Sequence, residues 1–185
     1  MSEREVLDLD VLFVGAGPAS LAGAIHLKRL LSKSGTEASV AVLEKASEIG
    51  AHSLSGAIVD PRALRELFPD YTDSDLPFEA EVSEEHLYYL TENKKIPFPF
   101  VPPSMSHHHC FVTSLGKLTR WLGSKCENEG VDIFCGFAGT ELLYEGDQVV
   151  GVRTGDRGID KNGEKKPQFE PGADIRAKVV ILAEG

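Results

Sequence analysis

At 185 residues the chain is long enough for one domain with a substantial core, because a chain of this size buries about 70% of its unfolded surface. A net charge of −10 and a pI near 5.1 argue against a nucleic-acid partner and against a basic membrane-binding face. No run of about 18 apolar residues occurs, so no transmembrane helix is encoded, and Cys110, Cys126 and Cys135, odd in number and not spaced C-x-x-C, suggest neither a disulfide framework nor a metal cluster.

The N-terminus, MSEREVLDLD, is short and acidic, which fits neither a secretory signal nor a mitochondrial presequence. Together with the few, odd-numbered cysteines this suggests a reducing compartment, the bacterial cytosol or the cytosolic face of a membrane. The apolar run Val11 to Val14 then leads into Gly15-Ala16-Gly17-Pro18-Ala19-Ser20, and Leu21, Ala24, Ile25 and Leu27 follow at helical spacing. A strand, a glycine turn and a helix N-terminus in succession form the context of a dinucleotide fingerprint. Gly15 turns the chain where a Cβ would clash, and Gly17 lets the backbone approach a pyrophosphate. The helix start at Pro18, Ala19 and Ser20 offers free N–H groups and the positive end of the dipole to that charge. Ser20 occupies the third glycine position, small enough for close helix–strand packing at some loss of fit.

Ala38 to Leu43 reads as a β-branched, buried strand ending at Glu44, with Lys45 beside it. A carboxylate there, roughly 20–30 residues past the glycines, accepts hydrogen bonds from both ribose hydroxyls. It repels a 2′-phosphate, which disfavours NADP. The series defines an adenine-dinucleotide site without separating NAD from FAD.

Lys45 to Asp60 reads as a loop dense in small residues. Pro61 opens a helix whose packing side is Ala63, Leu64, Leu67 and Phe68. Residues 70–86 are acidic and proline-interrupted, a surface segment, with Glu79 to Glu85 a solvated face. Leu87–Thr91 and Ile96–Val101 are short extended pieces about a turn at Asn93-Lys94, and the prolines at 97, 99, 102 and 103 exclude a central strand there. From Leu115 to Glu129, Leu115, Leu118, Trp121 and Leu122 recur at helical spacing, with Trp121 read as a core residue. Gly130 caps that helix and Val131–Phe134 is the next strand. Thr140–Tyr144 and Gln148–Thr154 form a hairpin about Glu145-Gly146-Asp147. Asp156–Pro167 is charged, with Lys161-Asn162-Gly163 as its turn tip. Ala173–Ala177 leads into a last strand, Lys178–Leu182, apolar on both faces and therefore expected to be central and buried. A terminus directly after such a strand suggests the N-terminal part of a longer protein.

His107, His108 and His109 invite a metal reading. In an extended segment only His107 and His109 share a face, and no partner stands at ligand spacing, so loop packing is expected instead.

The layout predicts an α/β fold of the Rossmann-like FAD/NAD(P)-binding, glutathione-reductase type, with a parallel sheet, an antiparallel β-meander and an inserted mixed region. One FAD-binding domain, 1–185, would comprise a nucleotide-binding unit 9–45, an insertion 60–113, and a helix, meander and third parallel strand over 114–185. Within that FAD-dependent group, GAGPASLAGAIHLKRL, EIGAHSLSGAIVDPRALRELFPD, KKIPFPFVPPSMSHHH and DRGIDKNGEKKPQFEPG with KVVILAEG are similar to the electron transfer flavoprotein–ubiquinone oxidoreductase family. The similarity covers nearly the whole chain, and the G-A-H-x-L-S-G-A loop followed by D-P is distinctive.

The resemblance implies a membrane-attached electron-transferring-flavoprotein dehydrogenase with FAD, a 4Fe-4S cluster and a quinone site. Electrons would arrive from reduced electron transfer flavoprotein and leave on ubiquinone, on the cytoplasmic side of a bacterial inner membrane. Carried onto this sequence, Gly15, Gly17 and Ser20 fall on the pyrophosphate turn and Glu44 on the adenosine ribose. Gly50, His52, Ser55 and Gly56 run beside the flavin, where His52 and Ser55 could donate hydrogen bonds that tune it. Ala183 and Gly185 close over the FAD. No catalytic acid or base is assigned, since electron transfer abstracts no proton from a carbon substrate. The family's cluster ligands, quinone and membrane segments, and second FAD-binding stretch would lie beyond Gly185, so this chain alone is expected to be inactive, to hold FAD weakly and to associate through an open edge beside Lys178–Leu182. Ser20, His109 and Cys110 depart from the family pattern. The alternatives are another FAD oxidoreductase of the same fold, monooxygenase or geranylgeranyl-reductase-like, and a non-catalytic dinucleotide-binding module.

Overall fold

The computed structural model describes residues 4–159 and 164–184. In chain order the elements are β1 (Val6–Val14), α1 (Pro18–Ser34), β2 (Val40–Glu44), β3 (Gly56–Val59), α2 (Arg62–Leu67), β4 (Ala80–Glu81), β5 (Tyr88–Leu90), β6 (Lys95–Pro97), β7 (Phe111–Ser114) and α3 (Leu115–Asn128). The chain continues with β8 (Asp132–Cys135), β9 (Gly139–Glu145), β10 (Gln148–Thr154), β11 (Arg157–Ile159), β12 (Lys165–Glu170) and β13 (Asp174–Leu182). Two compact units result, one from Met1–Ser53 with Thr119–Gly185 and one from Leu54–Leu118.

The first unit is built on a six-stranded sheet in the order β8-β2-β1-β13-β10-β9. The four strands from β8 to β13 run parallel, while β10 is antiparallel to β13 and β9 to β10. The sheet is apolar on both faces in its middle, as parallel strands covered on both sides are. Leu12, Val14, Ala41 and Leu43 form one buried cluster with Val152, Ile175 and Ala177. Leu21, Ala24 and Ile25 of α1 and Leu122 and Cys126 of α3 are also buried, and the Cys126 Sγ–H donates to the Leu21 carbonyl at 3.4 Å, tying the two helices together. Each fully buried leucine or isoleucine here contributes about 1.5–3 kcal/mol relative to exposure.

The expected hairpin forms as β9–β10 and extends the parallel sheet, because Gly151–Arg153 pair with Arg176–Asp174 of β13. Arg153 fixes the junction, holding Asp174 through two nitrogens at 2.7 and 2.8 Å and Glu141 at 3.1 Å. The last strand is central, between β1 and β10, yet it is not buried on both faces: Val179 is 51% and Leu182 59% exposed. Since β10 reaches only Asp174–Arg176, the far half of β13 pairs with β1 alone among the described residues. The segment 45–60 is not all loop, because Gly56–Val59 forms β3. On the helices, Trp121 is half-buried with Lys125 over its ring at 5.2 Å, and Ala63 is exposed while Leu64 and Phe68 are buried. The expected turn tip Lys161-Asn162-Gly163 lies outside the described residues, between β11 and β12.

The second unit holds a three-stranded antiparallel sheet, β3-β7-β4, and a separate hairpin, β5–β6. Phe78 stacks on Phe111 at 4.4 Å, and the Thr113 hydroxyl donates to the Pro77 carbonyl. The hairpin and the stretch after it leave Tyr89, Leu90, Ile96, Phe98, Phe100 and Met105 exposed.

Candidate functional site

Parallel strands of an α/β sheet gather their loops at the carboxyl ends, where ligands bind. Here the ends of β1, β2, β8 and β13 meet around a cavity of about 390 Å3, at the small end of the range for small-molecule sites. Its lining includes Gly15, Gly17, Pro18, Ala19 and Ser20 of the glycine turn, Glu44 at the end of β2 with Lys45 after it, Gly50 and His52 of the next loop, and Ala183 after β13.

Two backbone hydrogen bonds set the turn. The Gly15 N–H donates to the Leu43 carbonyl at 2.8 Å and the Ala183 N–H to the Val14 carbonyl at 2.9 Å. Gly15 has φ +103°, and a Cβ on it would stand 2.6 Å from the Ala183 carbonyl oxygen, so a glycine is required by both conformation and space. Gly17 differs: it is the N-cap of α1 with φ −73°, and a Cβ there would meet no protein atom within 4 Å. As Gly17 also lines the cavity, the space above it is left open by the protein. No side chain caps α1, and its first turn carries no acidic residue, so the N–H groups of Ala19 and Ser20 lack an acceptor within the helix.

Glu44 is held from both sides. Its Oε2 accepts the Ala16 N–H at 3.0 Å and its Oε1 accepts the Ala46 N–H at 2.8 Å. The carboxylate therefore braces the glycine turn against the end of β2, a role the sequence did not indicate. An ionised carboxylate has about four lone-pair sites, so each oxygen retains one for a hydroxyl donor. An uncapped helix N-terminus, an open cradle at Gly17 and a fixed carboxylate together fit the pyrophosphate and ribose of an adenine dinucleotide. Burial and the neighbouring Glu44 push the Cys135 thiol above its usual value, and burial pushes Cys126 up to about 12, so both remain protonated.

The cavity does not include every residue expected of it. Ser55 and Gly56 belong to the second unit, where the Ser55 carbonyl accepts the Leu115 N–H and Gly56 begins β3. Gly185 lies outside the described residues. Phe137, Ala138 and Gly139, which line the cavity after β8, were missed. Their signal was present, a segment bracketed by Gly136 and Gly139 directly after an apolar strand, but the parallel pairing of β8 with β2 that brings it to the site is a long-range fact. Arg157 covers Phe137, its guanidinium 4.9 Å from the ring.

In the second unit the His107 ring lies 2.6 Å from Glu85, which also accepts the His107 backbone N–H at 2.8 Å. That backbone donor, then the ring, holds the Glu85 carboxyl below the usual range. His109, at φ +64°, approaches Glu81 at 3.4 Å. Among the described residues no group of three or more histidine, cysteine or carboxylate side chains is arranged to hold a metal ion.

The fold is that of the α/β FAD-binding proteins. A geranylgeranyl bacteriochlorophyll reductase-like protein from Thermoplasma acidophilum superposes with a TM-score of 0.66 at 23% identity, covering 97% of this chain and 40% of that one. The myxobacterial FAD-dependent halogenase CndH superposes at 0.63 and 17% identity, covering 97% and 38%. No family model matches the chain.

Sequence similarity is higher to another group of proteins. The chain is 46% identical to the mitochondrial electron transfer flavoprotein-ubiquinone oxidoreductase of Oryza sativa subsp. japonica over 185 residues, which are 98% of this chain and 31% of that protein. It is 45% identical over 188 residues to the probable enzyme of that name from Acinetobacter baylyi, covering 99% and 33%. The mitochondrial protein of Mus musculus is 44% identical over 185 residues, 99% and 30%. Over its length, then, the chain is homologous to the electron transfer flavoprotein-ubiquinone oxidoreductases, and it spans about a third of the relatives it matches.

Proposed function

We propose that this chain forms the adenine-dinucleotide half of an FAD site in an oxidoreductase that takes electrons from reduced electron transfer flavoprotein and passes them, through a 4Fe-4S cluster, to ubiquinone. The observation that carries the reading is the cavity at the ends of β1 and β2, where an open glycine turn, uncapped helix N–H groups and Glu44 converge, in a chain whose relatives bear that name.

In this reading Gly17, Ala19 and Ser20 bind the pyrophosphate with backbone N–H groups aided by the α1 dipole. Glu44 orients the ribose and repels a 2′-phosphate, and Lys45, Gly50 and Ala183 complete the walls. His52, exposed at the cavity, offers an imidazole N–H toward the ligand. Bound FAD would supply the redox chemistry, accepting and releasing electrons. The chain's own residues bind and orient it; none need move a proton from carbon. The cluster, the quinone site and the rest of the FAD envelope belong to segments outside this chain.

A water-insoluble quinone requires contact with lipid. No helix among the described residues is long and apolar enough to cross a membrane. The expectation that membrane contact would come from segments beyond this chain is extended here to the exposed apolar residues Tyr89, Leu90 and Ile96 of the β5–β6 hairpin and Phe98 and Phe100 after it.

The test is made on the complete polypeptide that carries this chain. It should purify yellow with one FAD per chain, be reduced by reduced electron transfer flavoprotein, and reduce a short-chain ubiquinone analogue. A flavin-free protein that binds neither FAD nor ADP would overturn the cofactor reading. A flavin-loaded protein that no electron transfer flavoprotein reduces would overturn the partner assignment.

A further inference from the structure

Ser20 stands on the first turn of α1, three residues after the N-cap Gly17, where the dinucleotide fingerprint carries its third glycine. It is 3% exposed, and its Oγ is buried without a hydrogen-bond partner, the single side-chain atom of that kind among the described residues. Folded proteins rarely leave a hydroxyl sealed and unpaired, because its lost hydration is not replaced. Alanine or glycine would occupy the same place with no polar atom to satisfy. The cost is specific to this chain's choice of serine.

Ser20 also lines the cavity beside Gly17. Three donors therefore gather at one end of α1: the backbone N–H groups of Ala19 and Ser20, and the Ser20 hydroxyl. Among the described residues no protein acceptor serves them, and Glu44, the carboxylate of the same cavity, accepts instead from Ala16 and Ala46. Donors without an acceptor define an anion site, and an oxygen of a phosphate group matches all three.

We propose that the Ser20 hydroxyl is a further donor to the pyrophosphate of the bound dinucleotide, a contact that the glycine of the usual fingerprint cannot make. The proposal rests on the dinucleotide reading above and adds a residue-specific determinant of cofactor retention to it. Serine moves among staggered χ1 wells without backbone movement. The hydroxyl is closed off in the ligand-free cavity and turns to a phosphate oxygen once one is seated over Gly17. Position 20 thereby trades a small loss of helix–strand fit for a charge-assisted hydrogen bond.

The experiment compares wild type, S20A and S20G in the complete polypeptide, stripped of flavin, by calorimetric titration with ADP and with adenosine. Wild type should bind ADP about tenfold more tightly than either variant, as expected for one hydrogen bond to a charged group. All three should bind adenosine, which has no phosphate, within about twofold of one another. Ligand-free S20A should melt no lower than wild type, since it loses only an unpaired hydroxyl. Equal ADP affinity in wild type and S20A would overturn the proposal and assign the hydroxyl to a bond with the backbone of its own helix. Parallel losses for ADP and adenosine would overturn it too, as a packing effect. If wild type binds neither ADP nor FAD, the dinucleotide reading itself falls, an outcome distinct from both.

Discussion

Replacing Glu44 tests the brace and the ribose contact together. In E44A the N–H groups of Ala16 and Ala46, held at 3.0 and 2.8 Å, lose their acceptor. Each costs about 1 kcal/mol at this half-buried place, so folding stability should fall by about 2 kcal/mol. For a domain of this size that is about 4–8 °C in Tm. E44Q should do little better, because its amide nitrogen presents a donor to one of the two N–H groups. Loss of a charged acceptor for ribose hydroxyls adds about 1.5–3 kcal/mol, so ADP affinity should drop on the order of a hundredfold. E44Q should also narrow the preference for ADP over its 2′-phosphorylated analogue. Thermal melts and calorimetric titration measure both arms. If E44A and E44Q bind ADP within about threefold of wild type and melt at the wild-type temperature, both roles are refuted. A lowered Tm with unchanged ADP affinity would leave the brace and remove the ribose contact.

The two fingerprint glycines should separate cleanly. G15A forces φ +103° on an alanine and drives its Cβ onto the Ala183 carbonyl, so it should lower Tm by several degrees and abolish ADP binding, whereas G17A should melt like wild type yet bind ADP at least tenfold more weakly. Asp10, bonded to Lys178 and Ser39, has its carboxyl lowered from 3.8 to about 2. Its stabilisation is therefore complete above about pH 4 and lost as the pH falls towards 2, and D10N should flatten that part of an acid-unfolding curve relative to wild type. Cys126, buried and shifted up to about 12, should resist a thiol reagent at pH 8 until the protein is unfolded, as counted by mass spectrometry.

Local signals in the sequence were sufficient for the cofactor turn. Val11–Val14, the glycines and the helix stripe from Leu21 lie within one short stretch, and each requirement is met by neighbours in the chain. The same holds for α3 with Gly130 and for the β9–β10 hairpin. What escaped was pairing at a distance. Gly56–Val59 reads as loop because four small and branched residues carry no alternation, and it becomes a strand only when Phe111–Ser114 lies beside it. Phe137–Gly139 reach the cavity only because β8 runs parallel to β2. The last strand differs from its pattern: apolar on both faces, it reads as buried on both, yet Val179 and Leu182 are exposed, and beyond Asp174–Arg176 it has no pairing with β10. Glu44 was chosen for its position at a strand end, and its bonds to Ala16 and Ala46 follow from the geometry of two loops that no spacing rule specifies.

The close approach of Gly15 to Ala183 has a consequence for biosynthesis. β1 pairs with β2 on one edge, but its second edge finds a partner only when Asp174–Leu182 has been made, and the glycine turn rests on a carbonyl that follows that strand. At about 5–20 residues per second, the first strand waits on the order of ten seconds or more on the ribosome with one edge unpaired. Cofactor capture is thus a late event in the life of the nascent chain, and the open edge of β1 is the stretch on which a chaperone has the longest time to act.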